Sequence, residues 1–130
     1  MKVVLDTNIV ISAIVFGGLP EQILKKVRQK EIIAVSSLSL IAELIDILSK
    51  KFGFPKNKLK LIEKKIKKIS MIVYPDKTIN VLEDEPDNRV LEAGLEGEAE
   101  YIVTGDKDLL RFGEYKGIKI VTAKIFFDII

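Results

Sequence analysis

At 130 residues the chain has room for one ordinary domain and no second core. A hydrophobic fraction of 48%, a charged fraction of 31% and a net charge of +2 describe a folded globular protein, and its apolar runs are too short to span a bilayer. Cysteine and histidine are both absent, which excludes disulfides, thiol chemistry, a histidine general base and the usual zinc ligands.

Lys2–Leu5 reads as a buried strand, and Asp6 then interrupts any signal-like apolar stretch, so a cytoplasmic location is the default expectation. The segment after Asn8 reads as a helix to about Phe16. Gly17-Gly18 breaks it, and Pro20 suits the first turn of a second helix through Gln29. Glu31–Val35 is a second strand, after which Ser36 or Ser37 caps a helix running to about Lys51. Gly53 and Pro55 separate that helix from another over roughly 56–69, where Leu59, Ile62, Ile66 and Ile69 recur at helical spacing opposite a lysine-covered face. Met71–Tyr74 is a third strand. A helix over about 86–97 presents Val90, Leu91, Ala93 and Gly94 to the core. Tyr101–Thr104 is a fourth strand, Asp108–Phe112 a short helix and Ile118–Val121 a fifth strand, and Thr122 caps a final helix ending in Phe126, Phe127 and Ile130. Strands alternating with helices predict a parallel sheet covered on both faces, in which ligands bind beyond the carboxyl ends of the strands.

Carboxylates stand at those ends. Val3-Val4-Leu5 runs into Asp6-Thr7-Asn8, and Ile102-Val103-Thr104 into Gly105-Asp106-Lys107-Asp108. One such acid is often only a helix cap; two in one sheet argue for more. Glu43 interrupts an apolar stretch, with Asp46 its rival three residues on, and an ionised carboxylate near a core is costly unless paired or bound to metal. Asp84 and Asp87 open the helix over 86–97 beside Glu83 and Glu85. The helix dipole explains most of that cluster, and Asp87 is best placed to face inward. Converging carboxylates repel, and a divalent cation reverses that repulsion. With neither histidine nor cysteine present, the cation must be a hard one held by oxygen: Mg²⁺, Mn²⁺ or Ca²⁺. The chemistry implied is metal-assisted attack of water on a phosphodiester.

Charge is also segregated along the chain. Lys50 to Lys68 contains nine lysines and one acid, whereas Glu83 to Glu100 contains eight acids and one base. Two solvated helix faces would account for this, and so would a metal site that must also hold a polyanion. The bases are 18 Lys and 3 Arg, a bias that resembles hyperthermophile composition.

In order and spacing, Val4-Leu5-Asp6-Thr7-Asn8, Glu43 within its Glu-Leu-x-x-x-Leu helix, Asp87 at its acidic-to-apolar helix and Thr104-Gly105-Asp106-Lys107-Asp108-Leu109 resemble the motifs of PIN domains across the whole chain, 1–130. The resemblance implies an α/β three-layer sandwich around a mostly parallel five-stranded sheet. It also implies an endoribonuclease site for Mg²⁺ or Mn²⁺ built on Asp6, Glu43, Asp87 and Asp106. Asp108 matches a frequent fifth acid, Asn8 a polar residue orienting water or Asp6, and Thr104 a similar support; Asp84 matches an acid of one subgroup. Compact PIN domains resemble VapC-type toxins, which implies an RNA substrate, an antitoxin partner and a homodimer. The apolar residues of the first helices (Ile9, Val10, Ile14, Ile23, Leu24, Val27) would permit that dimer. Gly94 departs from the family's more frequent Ala, which predicts looser helix packing.

Two other readings compete. A receiver-like domain or an Asp-nucleophile phosphatase also places acids after the first strand, but Asn8 spoils the Asp-x-Asp pattern and Glu43 and Asp87 would lack a role. A non-catalytic RNA-binding PIN module would keep the fold without the activity.

Overall fold

The computed structural model describes all 130 residues. In chain order the elements are β1 (Lys2–Leu5), α1 (Thr7–Val15), α2 (Gly18–Arg28), β2 (Ile33–Ser37), α3 (Leu38–Lys50), α4 (Lys56–Ile69) and β3 (Ser70–Val73). There follow α5 (Glu85–Glu96), β4 (Tyr101–Val103), α6 (Lys107–Phe112), β5 (Glu114–Tyr115), β6 (Ile118–Val121) and α7 (Ala123–Ile129). The strands form one sheet in the order β3-β2-β1-β4-β6-β5. All neighbours run parallel except β5, which pairs antiparallel with β6.

The sheet therefore has six strands, not the five expected. The additional one is two residues long, and its turn is Lys116-Gly117, with φ of 47° and 87°. Positive φ at both central positions matches the right-handed twist of a two-residue hairpin, and Tyr115 pairs directly with Ile118. Glu114-Tyr115 is too short to show any alternation, so the pattern of apolar residues is silent about it.

Valines and isoleucines of the central strands are buried on both faces, as a doubly covered sheet requires. One core gathers Val4, Val35, Ile102 and Ile120 under Leu91 of α5 and Leu109 of α6. The opposite core gathers Val3, Leu5 and Val103 under Ile9 of α1, Ile23 of α2 and Phe126 of α7. A third cluster joins Ile11 of α1, Leu44 and Leu48 of α3, and Leu59 and Ile66 of α4, so α3 and α4 clasp α1. Ile9, Ile23, Leu24 and Val27, expected as surface for dimerisation, are no more than 8% exposed and belong to the chain's own core. Val10 and Ile14 pack against that core as well.

The chain crosses from β1 outward to β2 and β3, then returns to lay β4 on the other side of β1. That reversal opens a crevice at the carboxyl ends of β1 and β4, where ligands bind in sheets of this kind. Helix α5 lies close beneath it. A Cβ on Gly94 would stand 3.2 Å from Ile118 Cδ1 and 3.5 Å from Ile102 Cδ1, so this glycine permits close approach of α5 to the sheet, where looser packing was expected.

Gly97, at the C-terminal cap of α5, is tighter still, since a Cβ there would lie 2.5 Å from Val35 Cγ1 and 3.0 Å from its Cγ2. Val35 is buried and β-branched and has no free rotamer to give way. Gly97→Ala is therefore expected to destabilise the fold by about 1–3 kcal/mol in denaturant unfolding. Gly94→Ala should be close to neutral, because gained helix propensity of about 1 kcal/mol offsets a small shift of the Ile118 methyl group.

Candidate active site

Asp6 follows β1 directly and is locked from two sides. Its Oδ1 accepts the Thr7 backbone N–H at 2.8 Å, capping α1, and its Oδ2 accepts the Thr104 hydroxyl at 2.6 Å. Thr104 follows β4 and is fully buried. Its Oγ1 also accepts the Asp106 N–H at 2.9 Å, so one threonine joins the two acidic strand ends. Asp106 caps α6, its Oδ1 accepting from the N–H groups of Asp108 and Leu109 at 2.9 and 3.0 Å. Thr104 thus bridges the two acids by hydrogen bonds. Asn8 does not bond to Asp6. Its Oδ1 accepts the Gly105 N–H at 3.4 Å and ties the start of α1 to the loop after β4.

Asp87 comes from the first turn of α5 and is 6% exposed. Its Oδ2 is buried and has no hydrogen-bond partner. The next residue fixes its setting: Asn88, fully buried, accepts the Leu82 N–H at 2.9 Å and donates to the Leu82 carbonyl at 2.8 Å. Those bonds fasten the segment before α5 to the helix. Sequence reading passed over Asn88, although a polar side chain amid the apolar stripe of an amphipathic helix is the signal that could have found it.

Asp6, Glu43, Asp87 and Asp106 line one cavity of about 510 Å³, joined by Asp84. Glu43 is half-buried there, whereas Asp46 points to solvent and pairs with Lys50 at 3.0 Å, which separates the two rivals on α3. Asp108 is exposed, pairs with Arg111 at 3.1 Å and lines a neighbouring cavity that shares Asp84 and Asp87. Thr7 and Ser12 also line the acidic cavity, and neither was singled out from the sequence.

The electrostatics follow from that crowding. Burial pushes the Asp6 carboxyl up to about 6, against the lowering influence of the Thr104 and Thr7 hydrogen bonds, with Glu43 and Asp106 adding repulsion. Asp87 is raised to about 7, by burial first and then by the charges of Asp106, Asp84, Asp6 and Asp108. No three of these carboxylates surround a single point closely enough to form a ready-made cage. The donor set nevertheless suits a hard divalent cation, because it is all oxygen, its charges are alike, and one buried Asp87 oxygen is unpartnered.

Both acids hold their protons more tightly folded than unfolded. Their contribution to stability is therefore full below about pH 4 and is lost as pH rises through 6 and 7. In chelator, Asp6→Asn is expected to match the wild type in stability near pH 3, to exceed it at pH 5 by on the order of 1–2 kcal/mol and at pH 8 by on the order of 2–3 kcal/mol. Thermal or urea unfolding across that range reads the gap; a gap independent of pH would refute the raised proton affinity of Asp6.

Comparison with known proteins identifies the family and the fold. A family model of the PIN domain matches residues 2–108. An uncharacterised protein of Methanocaldococcus jannaschii is 35% identical over 126 residues, covering 92% of this chain and 81% of that protein. Among solved structures, VapBC-1 from nontypeable Haemophilus influenzae gives a TM-score of 0.68 at 19% identity, covering 95% of this chain and 99% of that one. VapBC2 from Rickettsia felis, bound to a DNA fragment from its promoter, gives 0.64 at 17%, covering 94% and 98%. The two structures share the fold, and the sequence match across most of the chain settles the family: this protein belongs to the PIN-domain family.

Proposed function

We propose that the chain is a Mg²⁺- or Mn²⁺-dependent endoribonuclease that hydrolyses single-stranded RNA, and that it is the toxin of a toxin–antitoxin pair. The observation that carries the catalytic reading is the unpartnered buried oxygen of Asp87, set in a cavity with Asp6, Glu43 and Asp106. A phosphotransfer domain would give Glu43 and Asp87 nothing to do, yet both line the cavity. The toxin reading rests on likeness in fold to two VapBC proteins. A homodimer in the cytoplasm is part of the same proposal.

Asp6, Glu43, Asp87 and Asp106 would hold the cation, with Asp108 or Asp84 at its margin. When bound, the cation supplies a lowered pKa for an attacking water and charge neutralisation at the phosphodiester. Thr104 keeps Asp6 and Asp106 in fixed orientation through its two hydrogen bonds. Asn8 holds the Gly105 loop so that Asp106 stays at the mouth of the crevice. The lysines of α4 draw the polyanionic strand toward the acidic cavity, an attraction that weakens with salt.

Purified protein should cut single-stranded RNA with Mg²⁺ or Mn²⁺ and stop on addition of chelator. Asp6→Asn and Asp106→Asn should each lower the rate by more than about a hundredfold, and Thr104→Val by about 10–100-fold, as for other partners that orient metal ligands. Undiminished cleavage by either aspartate variant would sink the proposal.

A further inference from the structure

The acidic cavity does not end at the acids. Its wall also includes Phe16, Phe52 and Lys51. Phe16, which ends α1, is 75% exposed, the most exposed large hydrophobic side chain of the molecule. Its ring meets that of Phe52 edge to face, with centroids 6.3 Å apart and planes at 76°. An edge-to-face pair engages only one of its four ring faces, which leaves aromatic surface open beside the cavity. Lys51 is the only basic residue lining the cavity and belongs to no ion pair. In the lysine run that Lys51 belongs to, only Lys50 and Lys67 are paired with acids. Acids, open aromatic surface and one unpaired cation thus share a single cavity. A volume of about 510 Å³ lies within the range of roughly 300–1,000 Å³ typical of ligand clefts, so there is room for more than one phosphate group.

We infer that the Phe16–Phe52–Lys51 end is a base-stacking subsite for single-stranded RNA. It holds the nucleobase adjoining the phosphate that the acids address, and directs the rest of the strand along α4. The inference rests on the nuclease reading for the position of the cleaved bond. Stacking suits a strand of any sequence because every base presents a π-face, and it acts on binding more than on the chemical step. The alternative occupant of so exposed a phenylalanine is a second copy of the chain.

The test separates these readings. In an Asp87→Asn background, which disables hydrolysis and leaves the aromatic end intact, a short single-stranded RNA carrying 2-aminopurine should be quenched on binding. Phe16→Ala and Phe16→Leu should each abolish the quenching and weaken binding about tenfold, whereas Phe16→Tyr should restore both. In the otherwise unaltered enzyme, Phe16→Ala should raise KM about tenfold and leave kcat within about twofold. Quenching and KM that ignore Phe16 would overturn the subsite while leaving the nuclease standing. Quenching that depends on Phe16 in a protein that cuts no RNA would retain the subsite and defeat the nuclease reading. If Phe16→Ala turned a dimer into a monomer by sedimentation with quenching intact, the face would be an interface between copies and the subsite would be refuted.

Discussion

Everything around the crevice depends on one constraint: several carboxylates are held near one another, partly out of water, and none of Asp6, Glu43, Asp87 and Asp106 is ion-paired with a base of the chain. Left to itself such a cluster would relax by moving apart or by taking up protons. The sheet prevents the first. Asp6 and Thr104 follow neighbouring parallel strands, and the backbone pins them, with the Asp6 N–H bonded to the Val103 carbonyl and the Thr104 N–H to that of Val121, at 2.9 and 3.0 Å. Raised proton affinity at Asp6 and Asp87 is the remaining response. The apolar cores on the two faces of the sheet supply the stability that offsets this repulsion.

Capping a helix and lining the cavity coincide in two of these acids rather than exclude one another. Asp6 and Asp106 are both N-caps, the bland reading of an acid after a strand. Capping occupies one oxygen of each carboxylate and so fixes its direction, with the other oxygen left to serve the crevice. In Asp6 that oxygen is held by Thr104, and in Asp106 it makes no hydrogen bond within the protein. A helix too short to stand alone, such as α6 at six residues, gains its start from the same carboxylate.

The sequence was most readable where periodicity and the chemistry of strand ends coincide. The parallel strands, the cap at Ser37, the cap at Thr122 and the stripe of α5 all lie within a residue or two of expectation. Asp6 and Asp106 could be located because the sheet dictates where its strands end. Glu43 against Asp46 could not be settled, because residues three apart share a helix side and only packing decides which one turns inward. β5 was invisible for want of length. Gly94 and the first helices were misjudged for a common reason: helical spacing marks an apolar face but does not say whether the chain itself covers it. Here α5 closes on the sheet through Gly94, and Ile9 and Ile23 are consumed by the second core.

Arg89 shows how deliberately charge is arranged. It is the one base in the acidic stretch, and a cation there could have neutralised Asp84 or Asp87. Instead its guanidinium turns away, pairing with Glu85 at 3.1 Å and Glu92 at 2.7 Å and donating to the Ile79 carbonyl at 3.0 Å. Glu92 in turn accepts the Ile79 N–H at 2.8 Å, so this arginine fastens the segment before α5 to the helix. Structural work that needs positive charge is done one helical turn away from the crevice, and Lys51 is the one base on the cavity wall. A cavity that holds like charges together and keeps its own arginine out retains the negative charge that attracts cations from solution. That uncompensated charge is the physical ground for the cation site proposed at this crevice.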